Sequence, residues 1–142
     1  MRLTRFSDYS LRVLMYAASR GERLITIEET AATYRMSRTH LMKVCHQLTK
    51  AGFLRAIRGR SGGLVLARAP SEIGIGEVLR LTEPDSSLVE CFGGDNGCVI
   101  APRCRLRGVL HEALAAFFAT IDRYTLADLM LNPADFGLVP AA

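Results

Sequence analysis

No stretch of this chain suits a bilayer. Its longest unbroken apolar runs are Val13 to Ala18 and Ala113 to Ala119, far short of the ~20 residues that a spanning helix needs. Arg2, Arg5 and Arg12 interrupt the apolar residues at the N-terminus, which argues against a secretory h-region, so the expected location is the cytoplasm, with no membrane partner. Internal repeats and low-complexity tracts are absent as well. So is the equipment of an enzyme: no serine or cysteine nucleophile beside a placed base, no phosphate loop and no carboxylate pair spaced for acid–base work. His46 and His111 fall on helical segments as surface or interface residues. The expectation is a protein that is not an enzyme.

Acidic residues are scarce in the first half, and this scarcity is informative. Residues 1–70 carry 13 Lys or Arg against 4 Asp or Glu, a net +9, whereas residues 71–142 carry 5 against 10, a net −5. The overall +4 hides that division. A basic half joined to an acidic half suggests that only the first faces a polyanion; the alternative is a solvated basic surface, or one that meets an acidic protein. With 142 residues, 49% apolar and 23% charged, the chain has the balance of one soluble globular domain, with room for an appended element.

Hydrophobic periodicity places the elements. Phe6, Tyr9, Val13, Leu14, Tyr16 and Ala17 lie at helical spacing, and Gly21 ends that helix. Thr26-Ile-Glu-Glu29 has the capping-box pattern, opening a short helix that buries Ile27, Ala31 and Tyr34. Only Arg35 and Met36 precede Ser37, an N-cap for a third helix with Leu41, Val44, Cys45 and Leu48 inward and Gly52 as its stop. Two short helices joined by a tight turn form a helix-turn-helix. Phe53 to Ile57 and Leu64 to Ala67 then flank Arg58-Gly-Arg-Ser-Gly-Gly63, a hairpin with a glycine-rich, doubly cationic tip. A hairpin in that place is a wing. A further short helix is expected over Ile75 to Thr82. From about 103 to 130, Leu106, Leu110, Ala113, Phe117, Ile121 and Tyr124 recur at spacings of three and four. They predict one long amphipathic helix whose seam packs on a second subunit.

The expected fold is therefore mainly α with a small β-hairpin. A winged helix-turn-helix DNA-binding domain takes residues 1–83, a cysteine-containing loop 84–102, a long dimerisation helix 103–131 and a tail 132–142. In the recognition helix Ser37, Arg38, Thr39, His40 and Lys43 lie opposite the apolar face, where N-terminal residues of such a helix reach base edges of double-stranded DNA. Arg38 is the best candidate for a bidentate contact to guanine. Arg58 and Arg60, with Gly62 and Gly63 at the same tip, suit phosphates or a narrow minor groove.

Residues 84–102 lack any sustained period, which is unusual inside a compact domain unless something functional orders them. Cys91, Cys98 and Cys104 fall within or just past this stretch. In a reducing compartment three clustered cysteines suggest metal ligands or redox thiols rather than structural disulfides. Their spacing favours an iron–sulfur cluster first and zinc or a thiol switch second, with inert cysteines as the remaining alternative. Cys45, on an inner helical face, reads as core.

Six segments together are recognisable: Asp8-Tyr-Ser-Leu-Arg12, Ser37-Arg-Thr-His-Leu-Met-Lys43, Gln47-Leu-Thr-Lys-Ala-Gly52, Arg58-Gly-Arg-Ser-Gly-Gly63, Pro102-Arg-Cys-Arg-Leu106 and Tyr124-Thr-Leu-Ala-Asp-Leu129. In this order, from residue 1 to about 131, the chain resembles the NsrR family of nitric-oxide-sensing repressors, within the Rrf-two superfamily of winged-helix regulators. The resemblance implies a homodimer on a palindromic operator, with one iron–sulfur cluster per subunit (2Fe–2S or 4Fe–4S) and nitric oxide as the signal. Cys91, Cys98 and Cys104 would be its thiolate ligands, and Asp8 would reach over from the partner subunit as an oxygen ligand. Without that role, Asp8 reads as a helix N-terminal carboxylate. Related iron–sulfur biogenesis regulators resemble the chain too, but carry histidine where this sequence has Arg107.

Overall fold

A computed structural model describes residues 1–94 and 97–138. The glycine-rich turn at 93–97 and the tail at 132–142 therefore fall partly outside the described residues. The elements run α1 (Arg5–Ser19), α2 (Ile27–Tyr34), α3 (Arg38–Lys50), β1 (Leu54–Ile57), β2 (Gly63–Leu66), α4 (Ile75–Thr82) and α5 (Arg105–Ile121), with short 3-10 turns between the later ones. The fold is mainly helical with one small antiparallel sheet, as the sequence led us to expect.

The helix boundaries follow from side-chain caps. Thr4, Thr26 and Ser37 each accept a backbone N–H three residues on, from Ser7, Glu29 and His40, satisfying donors that the first turn leaves unpaired. At Thr26 the capping box is only half made. The Glu29 carboxylate accepts instead from the Tyr16 hydroxyl at 3.1 Å and from Arg23 at 2.9 Å, tying α2 to α1 and the loop between them. Arg35 ends α2 in the left-handed region at φ 55°, and this sets the tight turn into α3.

One core unites the elements. Val13, Leu14 and Tyr16 of α1, Leu41, Val44, Cys45 and Leu48 of α3, Phe53 and Leu54 at the wing, and Ile75 and Val78 of α4 are all buried. The strands pair Leu54 with Leu66 and Ile57 with Gly63. Ile25 adds a bridge to Leu64, so the wing is anchored to the chain just before α2. Gly63 makes this possible, since a Cβ there would stand 2.6 Å from the Ile25 carbonyl oxygen.

The predicted long helix differs from what is observed. It stops at Ile121 rather than near 130. The chain turns through Asp122–Tyr124, and Thr125 bridges back to Gly74. The Ile75 amide donates to the Tyr124 carbonyl at 3.0 Å, and the Leu126 amide to the Ile73 carbonyl at 2.8 Å. Leu126 is fully buried, and Asp128 caps the Thr125 amide at 2.7 Å. Burying Leu126 in the winged-helix core outweighs one more helical turn in solvent. Arg80 of α4 fixes the corner, donating to both oxygens of Asp122 at 2.6 and 2.7 Å and lying over the Phe118 ring at 4.6 Å. Gly76 leaves the room, because a methyl group there would collide with the Asp122 carboxylate.

Candidate nucleic-acid interface

The N-cap at Ser37 makes Arg38 the first residue of α3. Burying Leu41, Val44, Cys45 and Leu48 turns the other face of that helix outward. Arg38, Thr39, Met42, Lys43 and His46 are exposed there. His40 differs from expectation, being half-buried with its ring 4.9 Å from that of Tyr9 in α1. It packs the recognition helix onto α1 more than it faces outward. Burial pushes the Cys45 thiol up to about 11, in keeping with the core role expected of it.

Arg38 is engaged: its Nε donates to the Glu28 carboxylate of α2 at 2.7 Å. The Glu28 carboxyl lies below its usual value because its own backbone N–H and then Arg38 donate to it. Glu28 was not anticipated. The only signal was that it is one of four acids in the basic half.

The wing tip keeps Arg58 and Arg60 exposed on either side of Gly59, at φ 125°. Gly62 and Gly63 are half-buried, and close backbone approach explains both glycines. Between wing and recognition helix runs a groove of about 510 Å³, lined in part by Thr26, Glu28, Met42, His46 and Leu64. A reading helix, a wing and cations on both define a winged-helix DNA-binding protein.

The comparisons with known proteins narrow this class. Residues 3–132 match the Rrf2 family, described as an iron-dependent transcriptional regulator. The chain belongs to that family. It is 50% identical over 137 residues to the HTH-type transcriptional regulator NsrR of Bacillus subtilis, covering 95% of this chain and 94% of that protein. It is also 49% identical over 137 residues to the regulator of the same name from Shouchella clausii, covering 95% and 92%. Among solved structures, a putative transcriptional regulator from Listeria innocua superposes with a TM-score of 0.75 at 28% identity, over 91% of this chain and 85% of that one. CymR, the global cysteine regulator of B. subtilis, superposes at 0.70 with 26% identity, over 91% and 95%. No helix among the described residues is long and apolar enough to cross a membrane.

Cys91 lies half-buried in the 3-10 turn Glu90–Phe92, Cys98 is exposed, and Cys104 is half-buried at the N-cap of α5. Among the described residues no three His, Cys, Asp or Glu side chains are gathered to hold a metal ion. The single chain thus supplies three soft donors on one segment without converging them. Cys104 gives no side-chain cap to the first turn of α5, where a negative charge is favoured. Arg107, in that same first turn, has a buried Nε without a hydrogen-bond partner, one of three such guanidinium nitrogens among the described residues. Asp8, in the first turn of α1, pairs with Arg12 at 2.9 Å. Its side chain is 44% exposed.

Proposed function

We propose that this regulator is a homodimeric repressor whose operator affinity is set by an iron–sulfur cluster, 2Fe–2S or 4Fe–4S, with nitric oxide as the signal. The observation that carries the reading is the donor set. Three thiols at Cys91, Cys98 and Cys104 precede or open α5, in a chain half identical to regulators named NsrR. Cys91, Cys98 and Cys104 would hold the cluster, and the partner's copy of Asp8 would complete it as the hard oxygen ligand. A bound cluster supplies an iron centre that reacts with nitric oxide.

The chain's own residues do the rest. Leu106 and Val109 of α5 are 62% and 59% exposed, an apolar strip that a second copy would cover. Joined there, two recognition helices would read half-sites about 34–36 Å apart on a palindrome. Arg38, Thr39 and Lys43 meet base edges, while Ser37, Arg58 and Arg60 meet the backbone or the minor groove. Asp8 is next to Tyr9, whose ring packs on His40 at 4.9 Å. A change in what Asp8 binds would reach the recognition helix by shifting the turn of α1 that carries Tyr9, and would so alter the spacing of the half-sites.

Cys98→Ala tests the ligand assignment. The variant is expected to remain a folded dimer by light scattering, to lose its iron, and to lose the nitric-oxide response of operator binding. Full iron occupancy in the variant would remove Cys98 from the ligand set. Zinc in place of iron, or nitric-oxide-insensitive binding in the wild type, would overturn the reading.

A further inference from the structure

The ion pair between Glu28 and Arg38 joins the N-terminal ends of the two helices of the helix-turn-helix, yet it stands mostly in solvent, with side chains 60% and 64% exposed. Such a pair contributes little to folding, because water screens it and two long side chains lose freedom in forming it. Its consequence lies in where it holds the guanidinium. Glu28 is the second residue of α2 and Arg38 the first of α3. The carboxylate engages Arg38 through Nε, and among the described residues no other hydrogen bond or ion pair restrains the side chain. The two terminal nitrogens remain available as a pair, which is the half of the guanidinium that reads O6 and N7 of guanine.

The charge adds a second effect. An arginine beside a carboxylate at 2.7 Å is a poor partner for a phosphate, because the phosphate must approach both. A guanine edge carries no net charge and meets no such penalty. The same groove that Glu28 lines also contains Met42 and His46 of the reading face, so the carboxylate sits where the DNA surface must come.

We propose that Glu28 is a positioning and specificity-determining residue of the DNA interface, holding Arg38 for base readout and disfavouring phosphate contact there. This rests on the reading of Arg38 as a base contact. It makes Glu28 the reason that this arginine reports sequence instead of adding to the general attraction for DNA.

The test uses the full-length chain purified anaerobically, a palindromic duplex that the wild type selects from a randomised library, single-base variants of that duplex, and a random duplex of equal length. Three variants are compared: Glu28→Ala, Glu28→Gln and Arg38→Ala. Glu28→Ala should reduce discrimination at one guanine position by about tenfold, the low end for one bidentate contact, and should tighten random-duplex binding severalfold at low salt. Glu28→Gln keeps an oxygen that can accept from Nε without the charge. It should restore base discrimination while still binding random duplex more tightly than wild type. A merely structural residue would not separate these two readouts. If Arg38→Ala weakens selected and random duplexes alike, the reading of Arg38 fails, and the proposal for Glu28 fails with it. If Arg38→Ala removes the guanine preference but Glu28→Ala keeps it in full, Arg38 stands and the proposal for Glu28 is overturned.

Discussion

Replacing Leu126 with alanine tests whether the segment after α5 belongs to the winged-helix core. Leu126 is fully buried, and its amide is bonded to the Ile73 carbonyl at 2.8 Å. Truncation removes three carbons, each about 0.8 kcal/mol in transfer free energy. The cavity left in a close-packed core raises the total to about 3–4 kcal/mol. For a chain of this size that corresponds to a fall in Tm of roughly 10 °C. Thermal and urea unfolding should be followed at several protein concentrations, so that losses within a protomer separate from losses between protomers. The predicted shift is the same at every concentration. A loss below about 1 kcal/mol would refute the burial argument. So would a loss that disappears at high concentration, because it would place Leu126 in the subunit interface, as a helix unbroken to residue 130 would.

Other consequences are equally accessible. Gly76→Ala should destabilise the chain by about 1–3 kcal/mol, as overpacking does, by forcing Asp122 away from Arg80; thermal melting reads this, and an unchanged Tm would refute the close approach. Removing Arg58 and Arg60 together should weaken selected and random duplexes alike and reduce the salt dependence of log K by roughly 2, since each phosphate contact adds nearly one; an unaltered slope would take the wing off the backbone. Glu83 accepts from the Thr4 amide at 2.5 Å and the Ser7 hydroxyl at 2.6 Å. Burial alone would raise its carboxyl, but those bonds hold it below the usual value. Its folded pKa is depressed, so its stabilisation is present above the unfolded value near 4.5 and lost as pH falls through the folded one. Glu83→Gln should flatten the acid side of a stability–pH curve, and an unchanged curve would show that the carboxylate does not cap α1. Cys45, with its thiol pushed up to about 11 by burial, should resist alkylation at neutral pH in the folded protein and react once denaturant is added; equal rates in both states would contradict its burial.

Much of the fold was legible because local signals and packing agree. Ser37 caps α3, Gly52 follows it in a left-handed conformation at φ 81°, and the apolar face between them is the face that packs. The end of α5 was not legible. Its seam spacing continues through Ile121 to Tyr124, and what interrupts it is distant: Arg80 binding Asp122, and Ile73 and Gly74 pairing with residues 125 and 126. Periodicity reports one face and cannot report which neighbour takes it. The same limit applies to the interface. Arg38 was evident from its place after an N-cap, whereas its partner Glu28 lies ten residues earlier and is met only through the fold. The cysteines announced a soft donor set, but the segment that carries them has no regular pattern, and among the described residues no three such donors are gathered to hold a metal ion.

The most direct measurement is an absorption spectrum of anaerobically purified protein, with iron and acid-labile sulfide counted on the same sample and nitric oxide then titrated in. The account predicts a visible sulfide-to-iron band, iron and sulfide in the ratio of one cluster per subunit, and bleaching that is stoichiometric with nitric oxide. A colourless protein that cannot be reconstituted with iron and sulfide would contradict it.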